Sequence, residues 1–422
     1  MKRILIITFY FPPHTGIAGN RPFSWAVNFK KHGLFPVVVT RQWEKGGQNS
    51  WQDSVPPYGT EVEKTESLVY EVYKAPHKHR RGYRWNDKSI IRSVKYWMAK
   101  LKGHIMIDAD SHTSFKPICE KIISENKIDY ILVSSGPLNL IRLGHELSAK
   151  YKIPFIADFR DTHNNNLLQR KPLLSFHEKI DKNIFEYWLR TWLRNVTLVT
   201  GVSQPLLELM QKLHLAKSKL IYNGYEESLF EELSALPTTS DRFIITILGN
   251  LYQRQDIAFM TAGFKEFITQ NPDVLIQFVG TAGSGKNISD LIKAAIPAAN
   301  LLITNRIDRL EALSKAARSH VLYYIGWKGY RGIYSGKIFE YLGLQRNILL
   351  APSDNDVNAA LIDETKSGKV ADTTEDMVAA LTGWYKEWQK TGRLQYEGNT
   401  AAIKKYTREN QAEILAETIL AN

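Results

Sequence analysis

The sequence predicts an α/β protein built from two successive doubly wound parallel sheets, and three observations predict it. Short apolar runs alternate with helical stretches, the pattern of a parallel sheet covered on both faces. The alternation runs through once and then begins again past residue 214. At 422 residues the chain also exceeds one ordinary hydrophobic core, so two domains of about 200 residues each are expected.

The elements follow in order. Met1-Lys2-Arg3 precedes the apolar run 4–11, which superficially resembles a secretion signal. The run is short, stops at Pro12-Pro13 and lacks a small-residue cleavage site, so it reads as a buried first strand over 4–9. Further strands are expected at 37–40, 130–134, 155–158 and 198–201, separated by helices such as 22–31, 114–126 and 138–151. The second set comprises 220–222, 244–249, 274–280, 301–304, 321–324 and 348–351. The weakest join, near His214–Ser218, divides the chain into a first domain over 1–213 and a second over 214–400. A last helix, 407–420, is able to pack on either. In sheets of this kind ligands sit beyond the carboxyl ends of the strands, near the switch point, so two of them imply a cleft between.

Composition narrows the class. With 44% apolar and 11% aromatic residues the chain is globular. The single Cys119 rules out an internal disulfide, fits a reducing compartment and reads as a buried thiol. No run approaches the roughly 20 apolar residues that span a bilayer, and no solenoid repeat is present. A cytoplasmic protein is the expectation. The net charge of +12 asks for an anionic partner: nucleotide, lipid headgroups or nucleic acid. No nucleic-acid-binding motif is visible. Between His77 and His104 lie Lys78, Arg80, Arg81, Arg84, Lys88, Arg92, Lys95, Lys100 and Lys102 against Asp87 alone, interleaved with Tyr83, Trp85, Tyr96 and Trp97. Basic charge with interfacial aromatics suits an anionic membrane surface, with Arg80, Arg81, Arg84, Trp85, Arg92, Lys95 and Trp97 as the contact residues. A solvated loop and helix with a few inward aromatics is the plainer reading.

The stretch Tyr334-Ser335-Gly336-Lys337-Ile338-Phe339-Glu340-Tyr341-Leu342 carries the strongest chemical signal. Ser335 is a candidate N-cap, and Ile338, Tyr341 and Leu342 recur at helical spacing. Lys337 then falls in the first turn, where unpaired backbone N–H groups already favour an anion, and Glu340 shares its face one turn on. A nucleoside diphosphate suits that layout; an ordinary surface salt bridge also fits it. Elsewhere, Gly16 and Gly19 follow the first strand and precede a helix, allowing close backbone approach to a ligand, and Arg21 either adds charge there or pairs with an acid. Asp158-Phe159-Arg160-Asp161-Thr162-His163 closes a strand, where charged residues tend to be functional. Gly249, Asn250 and Arg254 occupy another strand-to-helix loop. Gly280 to Lys286 fits Gly-x4-Gly-Lys, although Asn287 stands where a P-loop needs Ser or Thr for Mg²⁺. Asp108-Ala109-Asp110 reads as helix capping rather than as a metal site.

The stretch from Ser335 to Leu342, with Arg346-Asn347-Ile348-Leu349-Leu350-Ala351 after it, resembles the nucleotide-sugar signature of family 4-like glycosyltransferases of the GT-B fold. The resemblance implies two Rossmann-like domains facing across a cleft, with 401–422 crossing back to the first. It implies that Lys337 binds the donor diphosphate and Glu340 the ribose hydroxyls, beside Ser335 and Gly336. Many members carry a second Glu upstream that holds the donor sugar; that position here is Gly332. Gly16 and Gly19 correspond to the loop facing the donor phosphates. Gly249, Asn250 and Arg254 correspond to a loop whose basic residue joins the Lys on the diphosphate, so that no metal or other cofactor is required. The Asp158-to-Asp161 segment is similar to an acceptor-side segment of one branch, making Asp161 a candidate acid, base or charge stabiliser oriented by Arg160. Implied overall is a hexosyl- or related glycosyltransferase with retention of configuration. Its partners are a nucleotide-sugar donor and a glycan or lipid-linked acceptor of bacterial envelope polysaccharide, at the inner leaflet. The alternatives are a P-loop phosphotransferase using Lys286 and a protein that binds nucleotide-sugar without turnover.

Overall fold

The computed structural model describes residues 1–14, 16–43, 59–76, 90–102, 109–161, 168–170 and 174–422. Arg80, Arg81, Arg84, Trp85, Asp108 and His163 lie outside the described residues. Contacts divide the chain into two units: Met1–Leu167, Pro172–Tyr222 and Glu409–Asn422 in one, Leu168–Lys171 and Asn223–Arg408 in the other.

The first unit comprises β1 (Lys2–Ile7), α1 (Asn20–Asn28), β2 (Leu34–Arg41), β3 (Glu63–Glu66), β4 (Glu71–Ala75), α2 (Ile90–Leu101), α3 (Ala109–Glu125), β5 (Tyr130–Ser134), α4 (Asn139–Tyr151), β6 (Phe155–Phe159), α5 (Phe176–Trp192), β7 (Val196–Gly201), α6 (Gln204–Gln211) and β8 (Lys217–Leu220). Its sheet has the order β3-β4-β2-β1-β5-β6-β7-β8. All neighbours pair in parallel except β3, which runs antiparallel to β4. Successive residues of β1 serve opposite faces: Leu5 and Ile7 join one apolar cluster, Ile4 and Ile6 another. This is why the strand reads as an unbroken hydrophobic run. The second cluster takes Trp25 and Phe29 from the α1 side, and Leu415 and Ile419 from the chain's last helix.

The second unit comprises α7 (Glu227–Ser234), β9 (Phe243–Leu248), α8 (Ile257–Gln270), β10 (Val274–Val279), α9 (Lys286–Ala295), β11 (Leu301–Ile303), α10 (Arg309–Ala317), β12 (Val321–Tyr324), α11 (Gly336–Leu344), β13 (Asn347–Leu350), α12 (Val357–Thr365), β14 (Gly368–Val370), α13 (Thr374–Thr391) and α14 (Thr400–Lys404). The last helix, α15 (Arg408–Leu420), returns to the first unit. The sheet β11-β10-β9-β12-β13-β14 is parallel throughout. Its order reverses between β9 and β12, which makes the carboxyl ends of those strands the place for a ligand. In the first sheet the reversal falls between β1 and β5.

Three expectations are corrected by the structure. The strand expected at 220–222 as the start of the second set is β8, Lys217–Leu220, the edge of the first sheet; its backbone pairs with β7. The join accordingly falls at Tyr222/Asn223 and not at 213/214, and the return to the first unit at Glu409 and not at 401. Strands β3, β4 and β14 were not expected. Every residue of β3, Glu-Lys-Thr-Glu, is exposed, so it has no apolar alternation to read. Among the described residues no helix is long and apolar enough to cross a membrane.

Candidate functional site

In the second unit, three loops meet at the carboxyl ends of β9, β10 and β12. The loop after β9 turns at Gly249, whose φ of +66° no β-branched residue adopts without strain. A Cβ there would meet Lys337 Cε at 3.0 Å and Nζ at 3.2 Å. The Lys337 ammonium donates to the backbone carbonyl of Asn250 (2.9 Å). Gly280, also at positive φ (+74°), ends β10 with its Cβ position 3.8 Å from Gly249 Cα. Thr281 donates to Gly249 O (3.1 Å), and Leu251 N–H donates to Ser284 Oγ (2.8 Å). Tyr252 packs on Trp327 from the loop after β12, with ring centroids 5.5 Å apart.

Helix α11 starts where the sequence expects it. Ser335 has the extended N-cap backbone (φ −89°, ψ 152°), but its side chain makes no cap bond. Its hydroxyl instead accepts from Tyr324 OH (3.0 Å). The Ile338 N–H goes to Ser335 O (3.3 Å), which leaves the N–H groups of Gly336 and Lys337 without a partner among the described residues. Orphan N–H groups, the helix dipole and a Lys on the first turn all favour a negative charge at this helix end. Burial lowers the Lys337 pKa to about 8, partly offset by the Glu340 charge. Such a cation gains from any anion that joins it.

Glu340 is buried (6% exposed) and Arg309, the first residue of α10, donates to it twice: Nε to Oε1 at 3.1 Å and Nη2 to Oε1 at 2.8 Å. Tyr341, also buried, accepts from Leu248 N–H (2.9 Å) at the end of β9 and lies within 3.4 Å of Tyr323 O in β12. It pins α11 across the switch point. Sequence reasoning missed Arg309 altogether, and it read Tyr341 only as part of the helical spacing. No local signal links Arg309 to a carboxylate so distant in the chain.

The loop preceding α11 is also tied down. Gly332 N–H donates to Asp356 Oδ2 (2.5 Å), so a carboxylate from the loop after β13 stands beside the position that lacks an acid in sequence. Leu168–Arg170 pairs with the same loop: Arg170 N–H donates to Gly329 O (2.8 Å) and Arg331 N–H to Leu168 O (2.7 Å). Arg254 is exposed and takes no hydrogen bond from or to a described residue. Lys286 is exposed on α9 and pairs with Asp290 (2.7 Å), its helical neighbour, rather than folding over the Gly280–Gly285 turn. That is not how a P-loop lysine is used.

In the first unit, Asp158 is fully buried and held by Arg21 (Nη2 to Oδ1, 2.6 Å), Thr200 (2.6 Å) and Ser134 (3.3 Å). The Arg21 guanidinium also reaches the carbonyls of Ile221 (2.8 Å) and Tyr222 (2.7 Å). Of the two roles open to Arg21, pairing with an acid is the one taken, and every charge in the cluster is satisfied. Arg160 donates to the carbonyls of Ala18 and Ser135, joining the loops that follow β1 and β5. Asp161 is exposed just past β6 and touches Arg160 only through charge. Gly16 N–H donates to His14 Nδ1 (3.1 Å), and Gly19 N–H to Gly16 O (3.1 Å), closing the turn that leads into α1.

No protein-family model and no curated protein sequence matches the chain. Among solved structures it is similar to sucrose-phosphate synthase from Thermosynechococcus elongatus, with a TM-score of 0.64 and 13% identity over 100% of this chain and 99% of that one. It is similar to HepE of Anabaena in complex with UDP and glucose, with a TM-score of 0.62 and 11% identity over 100% of both chains. A glycosyltransferase from Rickettsia africae matches with a TM-score of 0.62 and 12% identity, over 100% and 99%. At these identities the likeness is one of fold. The chain has the GT-B fold of nucleotide-sugar glycosyltransferases.

Proposed function

We propose that the protein is a retaining glycosyltransferase that moves a sugar from a nucleoside diphosphate to an acceptor hydroxyl. One observation carries the reading. The first-turn N–H groups of α11, which have no partner among the described residues, the half-buried Lys337 against Asn250 O and a buried Glu340 one turn on converge at the switch point of a six-stranded parallel sheet. The diphosphate sits on the helix end and Lys337, and the ribose hydroxyls reach Glu340. Arg254, exposed on the neighbouring loop, adds a second cation to the departing diphosphate, so charge developing on the leaving group is neutralised without a metal. Asp356, bonded to Gly332, supplies a carboxylate for the donor sugar. Asp161 is the candidate acid, base or charge stabiliser on the acceptor side. The occurrence of UDP and glucose in the Anabaena neighbour supports a nucleotide-sugar donor.

The acceptor we propose is a lipid-linked glycan of envelope polysaccharide, reached at the inner leaflet. Helix α2 supports it. Val94, Met98 and Leu101 form an exposed apolar stripe at helical spacing, flanked by exposed Lys95 and Lys102. Trp97 packs on His177 of α5 (5.0 Å), so the stripe, rather than Trp97, is the apolar contact.

The deciding experiment incubates purified protein with labelled UDP-, GDP-, ADP- and CMP-sugars after a thermal-shift screen has ranked them. One of the UDP-, GDP- or ADP-sugars should stabilise the protein and yield nucleoside diphosphate with transferred or hydrolysed sugar, lost in Lys337→Ala, whereas CMP-sugars, with one phosphate, should do neither. NMR of the product gives its anomeric configuration. Binding without release of sugar in the presence of lipid-linked acceptors would leave a sugar-nucleotide-binding protein instead.

A further inference from the structure

We propose that Arg309 is a positioning residue for recognition of the nucleotide's ribose, acting through Glu340; this rests on the site reading above. A carboxylate offers about four lone-pair directions, two on each oxygen. Arg309 Nε and Nη2 both bond Oε1, at 3.1 and 2.8 Å, and so take up that oxygen. Oε2 receives no bond from a described residue. It keeps two acceptor directions, the number that the two hydroxyls of a 2′,3′-diol require.

The arrangement has two further consequences. Glu340 is 6% exposed, and burying such a polar group is costly unless it is hydrogen-bonded to a partner. Lys337 lies on the same helix, but its ammonium is bonded to Asn250 O and is the group a diphosphate would claim. Arg309 supplies a charge that binding does not remove. It also sets geometry: a planar fork on one oxygen fixes rotation of the carboxyl group, whereas a lysine would supply a point charge and leave it free to turn. Arg309 itself is held where it is needed. It is the first residue of α10, whose N-cap Asp308 accepts from Leu310 N–H (2.8 Å) and Glu311 N–H (3.4 Å).

The test compares ribose with deoxyribose. Isothermal titration gives dissociation constants for UDP, ADP and GDP and for their 2′-deoxy counterparts, on wild type, Arg309→Gln, Arg309→Lys and Glu340→Gln, each first checked for an intact thermal transition. With the best-bound base, wild type should prefer the ribonucleotide by about tenfold or more, since an unpaired buried acceptor penalises the analogue. Arg309→Gln should reduce that preference to within about threefold, with Arg309→Lys intermediate. Adding Arg309→Gln to Glu340→Gln should change the preference no further. An Arg309→Gln protein that binds less tightly but keeps the full ribose preference would overturn the proposal and leave Arg309 a structural counter-charge. A wild type that binds none of the nucleotides, or binds both sugars alike, would fail the site reading itself.

Discussion

On the proposed function, the depressed pKa of Lys337 would make nucleotide binding a proton-linked event. In the free protein burial holds this ammonium at about 8, against an ordinary value of 10.5. A nucleoside diphosphate on the same helix end brings negative charge beside it and raises the pKa again. If only the protonated form binds, the dissociation constant grows by the factor 1 + 10^(pH − 8). That factor is about 1.1 at pH 7 and about 11 at pH 9, or about 1.4 kcal/mol of lost affinity at the higher pH. The ligand's terminal phosphate titrates well below this window, at about pH 6. Titration calorimetry at pH 7 and pH 9, in buffers of different ionisation enthalpy, reads the linkage directly. Proton uptake should be near zero at pH 7 and about 0.9 per nucleotide at pH 9. Lys337→Arg, whose charge does not titrate, serves as the base-matched control and should bind with no such slope. The stability sign is opposite. Because the folded pKa lies below the unfolded one, the unfolded chain holds more protons between about 8 and 10.5, and stability of the free protein rises with pH there. Lys337→Met should therefore raise the Tm of the unliganded protein while abolishing binding. Equal affinities at pH 7 and pH 9, or the same slope in Lys337→Arg, would refute the reasoning.

Gly249→Val places a branched side chain at φ +66° with its Cβ 3.0 Å from Lys337 Cε; a loss of about 2 kcal/mol in chemical denaturation and weakened nucleotide binding are expected, and an unchanged affinity would remove Gly249 from the site. Lys286→Ala should leave sugar transfer within error of wild type, since its ion pair is with Asp290 on an exposed helix face; Mg²⁺-dependent ATP turnover lost in this variant would restore the P-loop alternative. His320 is 2% exposed, accepts from Ile244 N–H (2.9 Å) and has its pKa pushed down to about 4 by burial. The stability tied to it is complete above the unfolded pKa of about 6.5 and is lost as pH falls toward 4, by up to about 3 kcal/mol. His320→Asn, which keeps an acceptor but does not titrate, should flatten that limb of the urea-denaturation stability curve; parallel curves would show that other groups dominate. For α2, co-sedimentation with anionic liposomes should fall several-fold in a Met98→Glu/Leu101→Glu variant and in one that neutralises Lys95 and Lys102, and unchanged binding in both would end the membrane proposal.

What could be read from the sequence tracks how local each signal is. Parallel strands buried on both faces declare themselves as apolar runs, and β5 and β12 have the boundaries the pattern gives. Edge strands without an apolar run do not: β3 is wholly exposed, and β8 alternates exposed and half-buried residues at a sheet margin, which a run-based reading assigns to the wrong domain. Lys337 and Glu340 are legible because one helix turn holds both. Arg309 comes to this region from the start of α10 and Asp356 from the loop after β13, and only the parallel sheet brings them near. Ser335 shows the opposite limit. Its position as N-cap is local and readable, but the diversion of its hydroxyl to Tyr324 depends on β12 and cannot be inferred from spacing.

That diversion bears on why the first-turn N–H groups matter. Had Ser335 capped its own helix, its oxygen would have satisfied one of the N–H groups of the first turn. Tyr324, at the carboxyl end of β12, takes the serine oxygen instead, while Tyr341 locks the same helix to β9 through Leu248 N–H. The helix is thus held by tyrosine hydrogen bonds to two strands and not by its own cap, and its first-turn N–H groups have no partner among the described residues. A surface helix carrying an i,i+3 salt bridge needs neither feature. Glu340 moreover pairs with Arg309 and not with Lys337, whose hydrogen bond goes to Asn250 O. The plainer reading of the motif, a Lys337–Glu340 pair on a solvated face, is therefore not what the chain builds.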